Sequence, residues 1–318
     1  MFYISQKVDN GFDIVILKDM STNTLVEIVP SCGAILHSFS VDHDNETVNV
    51  IQSYNNVIEF REQAEELGFL GCKLSPFVCR MKDGTYTFAD KKYHIDKFYS
   101  GSHALHGLLY NVPFTVSNQF ADETMAFVEM SYSYNKMDEG YPFCYDCIVT
   151  YKVEKDNNLI INTKVINRSN GLIPIQDGWH PYFTLGDKID DLQLEFQSKE
   201  IIEFDDELLP TGKYSPYQEF GSLKSIKETT LDNCFTLNFR ECQPMCVLRN
   251  PKKKIEVQIF PDQTYPFLQL YTPSHRNSIA IENLSSAPDA FNNKIGLKIL
   301  NAGESVTFTT QYKINLLD

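Results

Sequence analysis

Two histidines stand in company that a purely structural residue does not require. His106 falls in Ser102-His103-Ala104-Leu105-His106-Gly107, a loop-like stretch after the turn at Gly101. His180 falls in Gly178-Trp179-His180-Pro181-Tyr182-Phe183, where the following proline holds its backbone extended and helps fix the direction of its imidazole. Imidazole gives and takes a proton near neutral pH, which lysine and arginine do not readily do. Glu282 sits inside the apolar run Ser278-Ile279-Ala280-Ile281-Glu282-Asn283-Leu284. A carboxyl there lies either on the polar face of an edge strand or in a place where burial raises its pKa towards that of a general base. Asp232, in Leu231-Asp232-Asn233-Cys234-Phe235, and Arg80, between Pro76-Phe77-Val78-Cys79 and the turn Lys82-Asp83-Gly84, have similar settings. Each has an ordinary explanation when taken singly: a satisfied histidine, a turn-capping aspartate, a surface arginine. Together they leave two histidines, an arginine and two acids in suggestive settings. No phosphate-binding glycine loop, G-x-S-x-G elbow or H-E-x-x-H helix accompanies them.

The elements that must position these groups read as strand after strand. Phe12–Leu17, Leu25–Val29, Ala34–Val41, Tyr86–Ile95 and Met125–Tyr134 are rich in Val, Ile, Phe, Tyr and Thr, and several alternate apolar with polar. Turns at Ala89-Asp90-Lys91-Lys92, at Asp156-Asn157-Asn158 and at Asn250–Lys253 each separate two such runs. The clearest helix is short, Val57–Leu67, with Gly68 marking its end. No fixed-period repeat, low-complexity tract or linker divides the chain. These signals predict an all-β protein: a single large antiparallel β-sandwich over residues 1–318, with few short helices.

Composition agrees. Of 318 residues 42% are hydrophobic, enough for a sizeable core, and the 22 Phe and 17 Tyr suit pleated, half-buried surfaces. A net charge of −14 argues against nucleic acid as a partner, since phosphate neutralisation needs a basic face. The one basic run, Lys252-Lys253-Lys254, reads as a solvated hairpin turn. No apolar stretch is long enough to span a bilayer, and Met1–Asn10 lacks the basic and apolar regions of a signal peptide. The eight cysteines are accordingly expected as reduced thiols in the cytoplasm. Cys144 with Cys147, and Cys242 with Cys246, do not make a zinc set; the first pair lies three apart in a predicted strand, on opposite faces. Small buried hydrophobes are expected there, and no metal or organic cofactor.

At these residues the sequence resembles the aldose 1-epimerase (galactose mutarotase) family. Gly71–Gly84 with Arg80 is similar to that family's arginine segment, Leu105-His106-Gly107 to its first histidine motif, and Asn167 through Leu185 to its second. Leu231–Phe235 resembles the sugar-binding aspartate motif. Ile281-Glu282 followed by Ala287–Asn292 resembles the glutamate segment, and Ala302–Val306 the approach to the last strand. The resemblance implies a galactose mutarotase-like supersandwich with a small-molecule sugar, a hexose such as galactose or glucose, in an open groove. Glu282 would be the base and His180 the acid that open and reclose the ring, with His106, Arg80 and Asp232 on the hydroxyls. It also implies contacts from Cys79 and Trp179, the two departures from the galactose-type pattern. Cys79 stands where an Asn commonly precedes the arginine, and Trp179 is bulkier than those members would lead one to expect. No cofactor is expected, and a monomer or homodimer.

Two other classes remain open on the residues alone. A sugar-binding or sensing protein on the same sandwich would have no need of the acid–base pair. Another carbohydrate-active enzyme, such as a glycoside hydrolase, would need two flanking carboxylates, for which Glu282 and Asp232 are the pair available.

Overall fold

The structure, a computed structural model, describes residues 1–241 and 243–317. The fold is all-β, built around two nine-stranded sheets with a five-stranded N-terminal sheet beside them. The longest sheet strands, Met125–Asn135, Cys144–Glu154, Asn158–Asn167 and Ser305–Leu316, are neighbours in one of the two large sheets and pair antiparallel. Their inward residues, among them Val128, Val149, Ile161 and Tyr312, join Phe235, Leu270 and Ile281 of the other large sheet in one buried hydrophobic cluster. That shared cluster is what makes the two sheets a sandwich.

The second sheet carries the residues of interest. Its order is Pro210–Pro216, Ser198–Phe204, Asp232–Leu237, Phe267–Tyr271, Ile279–Leu284, Gly178–His180 and Cys72–Leu74. Side chains alternate across a strand, so one face feeds the core and the other is free to build a site. In Ile279–Leu284, Ile279 and Ile281 enter the sandwich core, which turns Glu282 the other way. In Phe267–Tyr271, Leu268 and Leu270 go inward, leaving Gln269 and Tyr271 outward with Glu282. Phe235 and Leu237 do the same for Asp232.

The predicted hairpins form at all three turns. The Lys252–Lys254 run is exposed between Cys246–Asn250 and Ile255–Pro261. The helix is shorter than predicted, Val57–Gln63, capped by Asn56, whose side chain accepts from the amides of Ile58 and Glu59. From Ala64 the chain continues as turns, Leu67 N donating to Gln63 O and Gly68 N to Glu65 O. Phe69 then draws its amide to Ala64 O, a closure that only a chain leaving the helix can make. Cys147 is buried and Cys144 partly exposed on the opposite face of Cys144–Glu154. Cys246 is buried, and Cys242 lies outside the described residues.

Candidate active site

One pocket, of about 250 Å³, opens on the outer face of the second sheet. Its floor follows the strand order. Asp232, Gln269, Glu282 and His180 come from four neighbouring strands, with Gln269 directly opposite Glu282 in register. His180 and Tyr182 share one face and their rings stack at 5.1 Å and 21°. The Tyr182 hydroxyl donates to Gly68 O at 3.0 Å, docking the post-helix turn against the floor. A Cβ at Gly68 would stand 2.5 Å from that hydroxyl, and the backbone there has φ +80°, so glycine is needed on both counts.

The facing bank comes from a small three-stranded sheet in which Leu105 pairs with Arg80. That pairing places Arg80 and His106 side by side, with His106 N donating to Cys79 O at 3.0 Å. The chain at Gly107 passes so close to Ser75 that a Cβ would stand 2.3 Å from its carbonyl oxygen. His106 then packs edge-on against both Phe69, at 4.8 Å, and His180, at 4.9 Å. The segment after the glutamate strand holds this bank down: Asp289 N donates to Arg80 O, and its carboxylate accepts from Lys82 N.

At the centre, Glu282 Oε1 lies 3.4 Å from His180 Nε2, and both side chains are buried, 2% and 6% exposed. Burial, then the neighbouring Asp232 carboxylate, pushes the Glu282 carboxyl well above the usual range, against the pull of Arg80. Burial pushes His180 down to about 4. Asp232 is also raised by burial, opposed by Arg80 and by the Gln269 amide, which donates to it at 2.9 Å. Burial, helped by the charges of His180 and Arg80, lowers His106. Four buried polar atoms here have no partner among the described residues: Glu282 Oε2, His180 Nδ1, His106 Nδ1 and Gln269 Oε1. An unpaired buried polar atom costs about 1–3 kcal/mol, so four in one pocket are poorly suited to stability and well suited to a polar ligand. No group of three or more His, Cys, Asp or Glu side chains among the described residues is arranged to hold a metal ion.

Six of the seven predicted residues line this pocket: Glu282, His180, His106, Arg80, Asp232 and Cys79. Trp179 does not, and the expectation of a sugar contact from it is corrected. Adjacent strand residues point to opposite faces, so the backbone that turns His180 into the pocket turns Trp179 into the sandwich core. There its indole donates to Thr163 Oγ1 at 3.3 Å and lies under the Lys73 ammonium, 4.5 Å from the ring centroid. Sequence reasoning missed Gln269, Tyr271, Phe69, Phe204 and Leu208, all pocket residues. Gln269 had a signal, a lone amide in the apolar run Phe267–Tyr271 next to the glutamate strand. Leu208 had none, because it sits on an irregular hairpin tip.

The family model for aldose 1-epimerase matches residues 18–313 of the chain. The protein YihR of Escherichia coli is 26% identical over 263 residues, covering 80% of this chain and 82% of that one. The structure is similar to a galactose mutarotase-like protein from Clostridium acetobutylicum, with a TM-score of 0.88, 18% identity and 99% of each chain covered. It is also similar to galactose 1-epimerase from Lactobacillus acidophilus, with a TM-score of 0.81, 18% identity and coverage of 100% and 99%. At those identities the solved structures speak for the fold.

Proposed function

Since the chain belongs to the aldose 1-epimerase family, we propose that it interconverts the α and β anomers of a hexose, with Glu282 and His180 as the proton-transfer pair. The observation that carries the reading is the 3.4 Å contact between a buried carboxylate oxygen and a buried imidazole nitrogen, each with its other polar atom unpaired in the same pocket. Ring opening needs one acceptor and one donor around a hemiacetal, and no change of oxidation state. The Glu282 carboxylate takes the proton of the anomeric hydroxyl. The O–H electron pair becomes the carbonyl π bond, the C1–O5 bond breaks, and O5 takes a proton from the His180 imidazolium. Rotation about C1–C2 presents the other face of the aldehyde, and the same transfers in reverse close the ring.

The opposed pKa shifts suit this exchange. Burial disfavours the charged form of each group, raising Glu282 and lowering His180 to about 4. A carboxyl beside a neutral imidazole and a carboxylate beside an imidazolium hold the same number of protons and differ by one transfer. Arg80, His106, Asp232 and Gln269 would meet the remaining hydroxyls, and the faces of Tyr182 and Phe69 the C–H surface of the ring. A cavity of about 250 Å³ falls below the ~300–1,000 Å³ of sites for drug-sized ligands, which suits one sugar ring. The test is polarimetry on freshly dissolved α-galactose and α-glucose. Equilibration faster than the spontaneous rate supports the reading; release of reducing ends from oligosaccharides without it would favour a hydrolase.

A further inference from the structure

The pocket is chemically lopsided. Its unpaired polar atoms belong to Glu282, His180, His106 and Gln269. Another corner offers little to a hydroxyl. Cys79, 6% exposed, is part of an apolar cluster with Leu74, Val78, Cys234, Leu284 and Ala287, and Phe204 packs against the same cluster. Phe204 and Leu208, from the hairpin joining Ser198–Phe204 to Pro210–Pro216, and Pro288 also line the pocket. A thiol is a weak donor and a weak acceptor, and burial holds this one neutral by pushing it well above its ordinary value. A sugar hydroxyl turned into this corner would lose its water and gain no adequate partner, whereas a bare CH₂ or CH₃ would gain apolar contact.

We propose that the physiological substrate is a deoxyhexose, seated with its hydroxyl-free carbon against the apolar corner at Cys79 and Phe204. This rests on the anomer-interconversion reading and narrows its substrate class. Stranding one hydroxyl costs about 1–3 kcal/mol, equivalent to a roughly five- to 150-fold difference in kcat/KM.

The probes are galactose and glucose with their 2-, 3-, 4- and 6-deoxy counterparts, followed by saturation transfer between anomeric protons in NMR. One deoxy sugar should exceed its parent hexose at least fivefold in kcat/KM, while those that remove a hydroxyl from the polar side fall below theirs. In Cys79→Asn the preference for that sugar over its parent should shrink or invert. Asparagine tolerates the left-handed backbone that Cys79 adopts, φ 49°, so the variant should fold. Wild-type rates in which every parent hexose surpasses all its deoxy counterparts would overturn the inference and leave the anomerase reading standing. A deoxy preference untouched by Cys79→Asn would overturn the assignment to this corner. Acceleration of no sugar in the panel would overturn both the general reading and this one.

Discussion

Replacing Glu282 with glutamine separates what this residue does for chemistry from what it costs the fold. The amide has nearly the shape of the carboxyl, so the 3.4 Å approach to His180 can persist, but it cannot accept the anomeric proton. A positioned general base contributes about 10²–10⁴-fold, so Glu282→Gln should lose at least about a hundredfold in kcat, equivalent to about 2.7 kcal/mol in the barrier. Stability should move the other way. Burial raises the folded-state pKa of Glu282 above that of the unfolded chain. The folded protein therefore binds more protons than the unfolded one between those two values, and stability is lost as pH rises through that window. Glutamine does not titrate and escapes the loss. The Tm of Glu282→Gln relative to wild type should match near pH 4 and climb towards pH 8, by no more than about 2 °C per kcal/mol in a chain of this length. Polarimetry above the spontaneous rate gives the first quantity and thermal melts at several pH values the second. A folded variant with wild-type mutarotation would refute the assignment of the base. A variant that melts progressively lower than wild type as pH rises would refute the claim that the buried carboxyl is a burden on the fold.

The wild-type pH profile of kcat/KM should be a bell whose acidic limb lies near 4, where His180 takes a second proton onto the pair, and not near the ordinary imidazole value; a limb centred at 6.5 would contradict the geometry. Its alkaline limb should lie well above the usual carboxylate range, because it reports loss of the shared proton from Glu282. Trp179→Phe should leave kcat/KM within about twofold while lowering stability by the roughly 0.5–3 kcal/mol of most damaging substitutions, since the indole bonds Thr163 and faces the core. Activity should survive EDTA; loss that a single divalent ion restores would show a metal requirement that the chemistry of Glu282 and His180 does not call for.

How much of this was legible beforehand depends on how local the signal was. Strands such as Met125–Asn135 and Cys144–Glu154 announce themselves by alternation, and hairpins by Asn, Asp and Gly at their turns. Glu282 was legible because a lone carboxyl in an apolar strand breaks the local rule, which is where function tends to show. Trp179 was misread because its neighbour is a site residue: membership of a motif gave it a role that the two-residue period of a strand denies. Gln269 stood out as a lone amide in an apolar run, but its place opposite Glu282, and Tyr271's on the same face, come from a pairing between strands that no window along the chain displays. Phe204 and Leu208 belong to the hairpin at the edge of the sheet, so tertiary geometry alone brings them to the pocket.

The backbone gives an independent sign that the pocket is where the fold departs from its own preferences. Phe69, Cys79, His106 and Leu208 all line it, and all adopt the left-handed conformation, with φ of 58°, 49°, 61° and 61°. Most other non-glycine residues with positive φ are Asn, Asp or Lys, largely at turns between strands. For residues without a short polar side chain this conformation costs about 1–3 kcal/mol, and it persists only where the surroundings over-determine it. Here they do. His106 is fixed by the amide bond to Cys79 O, by the Leu105–Arg80 pairing before it and by the contact of Gly107 with Ser75 after it. Phe69 is fixed by its bond to Ala64 O and by its packing on His106. The strain on one bank is thus held by the same contacts that orient its imidazole, while the floor, built from regular strands anchored in the sandwich core, carries the proton-transfer pair. On the proposed reading, the regular floor would fix where protons move, and the strained bank facing it would help to hold the sugar over them.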